Sequence, residues 1–153
     1  MDGGSLQDVV DGGGCADETV LANIAAQTLE GLHFLHQHQH IHRDMKPANV
    51  LINLDGSVKV SDFGILRRVD PEVDREHQVA TFIGTTAYMA PERIDGDTYS
   101  YPSDIWAFGL TMLTLSLGYL PINVAGGFWS ILESIRDKPP PSLPVGGSWS
   151  HEY

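Results

Sequence analysis

The chain has 153 residues with 42% hydrophobic content, enough to bury one core, and its length favours a single domain. A formal net charge of -11, with only nine lysines and arginines, leaves no broad basic face to neutralise a nucleic-acid backbone or an anionic membrane, so neither is expected as a partner. Cys15 is the only cysteine, which excludes an intrachain disulfide and fits a reducing compartment, and no apolar run reaches the ~20 residues of a membrane helix, so a cytoplasmic location is expected. Met1 to Asp11 lacks the basic-then-apolar order of a signal peptide. The stretch from Asp2 to Asp17 holds five glycines and four acidic residues around Leu6, Val9 and Val10, which predicts a short helix between loops. From Thr19 onward, Leu21, Ile24, Ala25, Thr28, Leu32 and Leu35 recur at steps of three and four and predict a helix running to about Gln37. Val50-Leu51-Ile52 and Val58-Lys59-Val60 are β-prone runs on either side of Asp55-Gly56, a turn dipeptide, and predict a small hairpin with Lys59 facing solvent. Arg67 to Gln78 is rich in charge, holds Pro71 and has no period, so it reads as a long exposed loop. Pro102-Ser103-Asp104 opens an apolar helix that runs through Leu117 and stops at Gly118; apolar residues on all its sides predict a central position. A weaker helix is predicted from Gly127 to Arg136, and Pro139-Pro140-Pro141 bars its continuation.

The residues that carry chemistry lie between these elements. His42-Arg43-Asp44-Met45-Lys46-Pro47-Ala48-Asn49 sits between the long helix and the hairpin, and Asp62-Phe63-Gly64 follows the hairpin's far end. Thr85, Ala90-Pro91-Glu92 and Asp104-Ile105-Trp106 come next in order. This succession resembles the protein kinase family, with a catalytic loop, a metal-binding motif and the later anchoring motifs along essentially the whole chain. Lys46, together with Gly84-Thr85 ahead of Ala90-Pro91-Glu92, is similar to the Ser/Thr type. The fold implied is mainly α, a protein-kinase-like C-terminal lobe with a small β-hairpin and the N-terminal lobe absent. Residues 1–153 would then be a partial kinase domain, from the end of the hinge through the proline run after the substrate-lobe helix.

Phosphoryl transfer asks a protein mainly to position groups and to neutralise charge, and the residue types fit that task. Asp44 offers a carboxylate to accept or orient a substrate hydroxyl proton, and Lys46, two residues on, offers a positive charge to the transferring phosphate. Asn49 and Asp62 supply the oxygen ligands that magnesium prefers, and Leu51 supplies an apolar wall for the nucleotide. ATP and Mg2+ are therefore the implied cofactors, with Asp44 and Lys46 catalytic and Leu51, Asn49 and Asp62 cofactor-binding. The resemblance further implies a regulatory pair, Thr81 and Arg43, in which a phosphate on Thr81 would meet the arginine. It assigns structural roles to His42 and Phe63 in a spine beneath the nucleotide, to Asp104 as an anchor of the loop's backbone, and to Gly64, Thr85 and Glu92. The arginine that usually pairs with Glu92 is missing, which predicts that Glu92 has no partner. The histidines at 33, 36, 38, 40 and 42 straddle a helix end without a completing ligand, and a structural metal is not expected there.

Several stretches look like the MAP kinase kinases in particular. Met1-Asp2-Gly3-Gly4-Ser5-Leu6 resembles the end of their hinge, Thr81-Phe82-Ile83-Gly84-Thr85 their activation segment, and Pro139 to Pro144 their proline run. That resemblance implies a protein substrate that is itself a MAP kinase, phosphorylated on Thr and Tyr, and an upstream activating kinase; related upstream kinases share the pattern and stand as the alternative. His77 occupies the position four before Thr81, where a second hydroxyl residue is usual. No glycine-rich loop or strand lysine precedes the hinge, so the chain alone is expected to transfer no phosphate. A non-catalytic, kinase-derived binding or interfering module is the alternative function.

Overall fold

The computed structural model describes residues 2–62, 86–144 and 149–150. Helix α1, Leu6–Asp11, starts where the Asp8 carboxylate accepts from Ser5 N at 2.7 Å and Ser5 Oγ at 2.8 Å. These bonds hold the Asp8 carboxyl below its ordinary range. Helix α2, Glu18–Gln37, is capped by Asp17, whose side chain accepts from Thr19 N and Val20 N, satisfying donors that a helix start leaves orphaned. Its buried residues are Leu21, Ile24, Thr28, Leu32 and Leu35, the single face that the spacing predicts. A 3-10 turn at Pro47–Asn49 leads into the hairpin, β1 Val50–Ile52 and β2 Val58–Val60, antiparallel with Val50 opposite Val60 and Ile52 opposite Val58. Gly56 takes φ 83 in the turn, a value that suits glycine. Gln27 of α2 donates to Gly56 O and accepts from Val58 N at 2.9 Å, clamping the hairpin to the long helix, while Lys59 is exposed.

Helix α3, Pro91–Ile94, is a single turn absent from the sequence expectation, because four residues carry no readable period. Helix α4, Tyr101–Leu117, ends at Gly118 with φ 74, the left-handed stop that glycine makes at low cost. Helix α5, Gly127–Leu132, continues into a π-type turn at Glu133–Asp137, so the predicted segment is present but changes its winding halfway. The core gathers Leu6, Leu21, Leu32, Met45, Val50, Leu115 and Ile131 from α1, α2, the segment before the 3-10 turn, β1, α4 and α5. The fold is thus mainly helical with one two-stranded antiparallel sheet.

The central position expected for α4 is met over most of the helix, which packs on α1, α2 and the 3-10 turn. Ser103, Asp104, Ala107, Leu110, Thr111, Thr114 and Leu115 are buried, but Ile105 is 46% exposed. Trp106, Phe108 and Leu113 line an apolar groove of about 740 Å³ with Pro140, Pro141 and Leu143. Met112 and Ser116 are buried as well, so among the described residues the helix is covered around most of its circumference and opens at Ile105 and along this groove. The glycine-rich loop after α1 lies directly on the end of α4: Cys15 N donates to Leu115 O at 2.9 Å. A Cβ on Gly14 would sit 2.5 Å from that carbonyl oxygen, closer than real contacts allow. Among the described residues, no helix is long and apolar enough to cross a membrane.

Candidate active site

The segment 41–49 is fastened by its apolar members. Ile41 and Met45, each 1% exposed, enter the core and leave the polar residues between and beyond them to form the loop. Backbone order comes from Asp104 on α4, itself 1% exposed. Its Oδ2 accepts from His42 N at 2.8 Å and its Oδ1 from Arg43 N at 2.9 Å. His36, near the end of α2, brings Nε2 to 2.7 Å from the same Oδ2; a carboxylate only accepts, so this nitrogen is the donor. The two backbone bonds hold Arg43 at φ 69, a left-handed conformation that a branched-off side chain normally avoids.

His42 is fully buried and joins the loop to the hairpin. Its Nε2 lies 3.0 Å from Ser61 O, and its Nδ1 accepts from Asp44 N at 3.3 Å. The carbonyl can only accept, so the proton resides on Nε2 and the ring is the neutral tautomer that serves both contacts. Ser61 also donates from N at 2.8 Å and from Oγ at 3.1 Å to Asn49 O, fixing the position just before Asp62 against the end of the loop. Asp62 is exposed with φ 61.

Within this frame the Asp44 carboxylate sits between two donors. Lys46 Nζ reaches its two oxygens at 2.8 and 3.1 Å, and Asn49 Nδ2 reaches Oδ2 at 2.9 Å and the Asp44 carbonyl at 2.7 Å. The carboxylate is 14% exposed and the lysine 24%, so the pair is partly shielded yet open to a reactant. Because the Asn49 amide nitrogen is committed to Asp44, its carboxamide oxygen is turned away as an available acceptor. That oxygen and the Asp62 carboxylate are each hard donors of the kind that magnesium prefers. Leu51, half-buried on β1, pairs with Ser5 across an isolated antiparallel bridge. Among the described residues, no group of three or more His, Cys, Asp or Glu side chains could hold a metal ion, so the run of histidines forms no cluster.

Glu92 corrects an expectation, since Ser103 Oγ donates to its Oε1 at 3.0 Å. A short hydroxyl on α4 thus supplies a partner where none was expected. Thr81, Thr85, Phe63 and Gly64 lie outside the described residues, as does the charged loop from Arg67 to Gln78. Three participants escape a sequence reading: His36, which meets Asp104 across 68 positions; Ser61, which ties loop to hairpin; and Arg93, buried against Tyr99. His36 alone left a trace, as one of several histidines near the loop.

Comparison with known proteins follows this geometry. Residues 1–138 match the family model described as the protein kinase domain. The chain is 46% identical over 147 residues to mitogen-activated protein kinase kinase 1c of Physcomitrium patens, covering 92% of this chain and 42% of that protein. It is 42% identical over 145 residues to mitogen-activated protein kinase kinase 3 of Arabidopsis thaliana, covering 94% of this chain and 27% of the relative. It is 43% identical over 122 residues to dual specificity mitogen-activated protein kinase kinase 1 of Dictyostelium discoideum, covering 79% and 18%. The chain therefore spans less than half the length of these relatives.

Proposed function

The chain belongs to the protein kinase domain family, and from that premise we propose that residues 1–153 form part of a kinase domain that moves the terminal phosphoryl group of ATP onto protein hydroxyls in a MAP kinase signalling cascade. The observation that carries this reading is the Asp44 carboxylate, held between Lys46 Nζ at 2.8 Å and Asn49 Nδ2 at 2.9 Å on a loop fastened through Asp104. Asp44 receives the substrate hydroxyl and orients it for attack. Lys46 stays beside that carboxylate and faces the charge of the group in transit. The Asn49 carboxamide oxygen and the Asp62 carboxylate would hold magnesium. The metal, when bound, draws charge from the nucleotide phosphates. Leu51 supplies an apolar surface for the nucleotide base. His42 and Asp104 act through the loop, as positioning residues, and Glu92 holds α3 to α4. Arg43 and Thr81 form the regulatory pair, with a phosphate on Thr81 fixing the activation segment through the guanidinium.

The relatives' names favour a MAP kinase as the substrate, with Thr and Tyr as acceptors and another kinase upstream. The test is a pair of variants in the full-length kinase that carries this sequence. Asp44→Asn is expected to leave magnesium-ATP affinity within about threefold while turnover falls ~100-fold or more, because the lost contact matters mainly in the transition state. Asp62→Asn is expected to weaken magnesium-ATP binding. Equal loss of nucleotide affinity in both, with turnover per bound nucleotide unchanged in Asp44→Asn, would remove the assignment.

A further inference from the structure

Residues 138–144 read Lys-Pro-Pro-Pro-Ser-Leu-Pro, and neither the loop around Asp44 nor the buried core uses them. Each proline fixes its own φ near −65° and withholds a backbone donor. Lys138, Pro139, Pro140 and Leu143 each precede a proline, which holds them to extended backbone as well. Lys138 shows this, with φ -113 and ψ 157 directly after the π-type turn. Residues 139–144 form neither helix nor strand and make no hydrogen bond to another described residue. A segment so restricted favours the polyproline II form, which loses little conformational freedom when a partner takes it up.

The order of side chains defines the partner. Polyproline II repeats every three residues, so Lys138, Pro141 and Pro144 share one edge, and the apolar pairs Pro140-Pro141 and Leu143-Pro144 stand about 9 Å apart along it. Grooves lined by aromatic side chains, as in SH3 domains, recognise such paired ridges. Lys138 adds a charge one turn ahead of the first pair. Its Nζ lies 3.5 Å from Glu133 Oε1 with both side chains more than half exposed, a pairing weak enough to exchange for a better acidic partner. Arg136, by contrast, is committed to Asp137 at 2.7 and 2.9 Å. Residues 145–153 contain no lysine or arginine, so the motif has one polarity, with its basic residue first. All seven residues are exposed except Pro141 and Leu143, which are half-buried. Those two line the open groove of about 740 Å³ beside α4, so the segment gives up few contacts in turning outward. We propose that residues 138–144 are a docking segment for an SH3-type domain, with the two apolar pairs in its aromatic groove and Lys138 in an acidic pocket at one end. The site is independent of phosphoryl transfer, so its test requires no turnover.

The whole chain is titrated into an isotopically labelled SH3 domain of the class that takes ligands with the basic residue ahead of Pro-x-x-Pro, and the groove resonances of that domain are followed by NMR. Saturable shifts are expected. Lys138→Glu is expected to weaken binding about tenfold or more, because it sets like charge against the acidic pocket. Pro141→Ala and Pro144→Ala should each weaken it about tenfold, whereas Pro139→Ala, outside both apolar pairs, should stay within about threefold. An SH3 domain of the opposite class, which prefers the basic residue after the motif, is expected to bind at least ~tenfold less tightly. A run that merely ends the helix and walls the groove would give no saturable shifts, and its alanine variants would alter thermal melting alone. Absence of saturable binding by the whole chain, equal affinity in wild type and Lys138→Glu, or equal binding to the two SH3 classes overturns the proposal. A synthetic peptide of residues 138–144 that binds where the whole chain does not shows that the fold withholds the motif, and overturns it too. Should Pro141→Ala not fold, Lys138→Glu at its exposed position carries the comparison.

Discussion

Asp104→Asn tests how the loop around Arg43 and Asp44 is held. The carboxylate accepts from His36 Nε2 at 2.7 Å, His42 N at 2.8 Å and Arg43 N at 2.9 Å while 1% exposed. Asparagine has the same shape but one oxygen. With that oxygen kept toward His36 and His42, the amide NH2 faces the Arg43 N–H, donor against donor; the reverse orientation strands two donors and is worse. The better arrangement still forfeits one bond to a charged acceptor, about 1.5–3 kcal/mol, and halves the strength of the two that remain. Arg43 then loses what keeps it at φ 69, and its relaxation returns part of ~1–3 kcal/mol of backbone strain. The balance is a destabilisation of about 2–4 kcal/mol, a large share of a typical domain's stability. Urea titration should show a lower midpoint at unchanged slope, and amide hydrogen exchange should accelerate at Arg43. The exposed Asp97→Asn serves as control, with an expected change within ~0.5 kcal/mol. A shift that small in Asp104→Asn, with wild-type exchange at Arg43, would refute the account.

Gly14→Ala places a methyl group 2.5 Å from Leu115 O at a residue with φ 85, so the loop must lift from the end of α4. A loss of roughly 2 kcal/mol or more is expected, and an unchanged thermal melting temperature would contradict it. Burial of the Tyr88 phenol raises its pKa above the ordinary 10.0, with a bond to Thr114 as a smaller opposing effect. The folded chain therefore favours the neutral phenol, so the stability involved is fully present below the unfolded value and is lost as pH rises beyond it. Tyr88→Phe should cost about 1 kcal/mol near neutrality through the lost hydrogen bond, yet show a shallower decline in stability as pH rises past the ordinary 10.0. Parallel alkaline curves for the two proteins, followed by urea titration at each pH, would count against it.

The long elements were legible because their determinants are local. Leu21, Ile24, Thr28, Leu32 and Leu35 keep one helical period and are buried together, and Asp55-Gly56 announces the hairpin. Gly118 stops α4 in the left-handed conformation that its type suggests. The loop's motif residues were legible as types at a spacing, but the forces that hold them were not. Arg43 takes φ 69 although it is not glycine, since a long-range bond from its N–H to Asp104 rather than local preference sets its backbone. His36 and Asp104 meet through the packing of α2 against α4, which no window along the chain contains. A buried Arg93 runs against the usual exposure of its type, and the stack on Tyr99 that admits it exists only after folding. Thr111, Thr114 and Ser116 are buried in α4 because each hydroxyl turns back to a carbonyl four residues earlier, a polar contribution hidden inside an apolar run.

The clamp of Gln27 on the hairpin also bears on engineering. Its bonds reach Gly56 O and Val58 N, and Ile52 N is held by Gly4 O, whereas Leu54 at the tip is 85% exposed. Strand register and the placement of Asn49 and Asp62 are thus settled behind the tip, by partners on α2, the opening loop and Ser61. A short graft between Leu54 and Asp55, such as an epitope or a fluorophore-bearing peptide, would extend into solvent from this stem. The same tip would serve as a tether point for immobilising the protein with Asp44, Lys46 and Asn49 left in place.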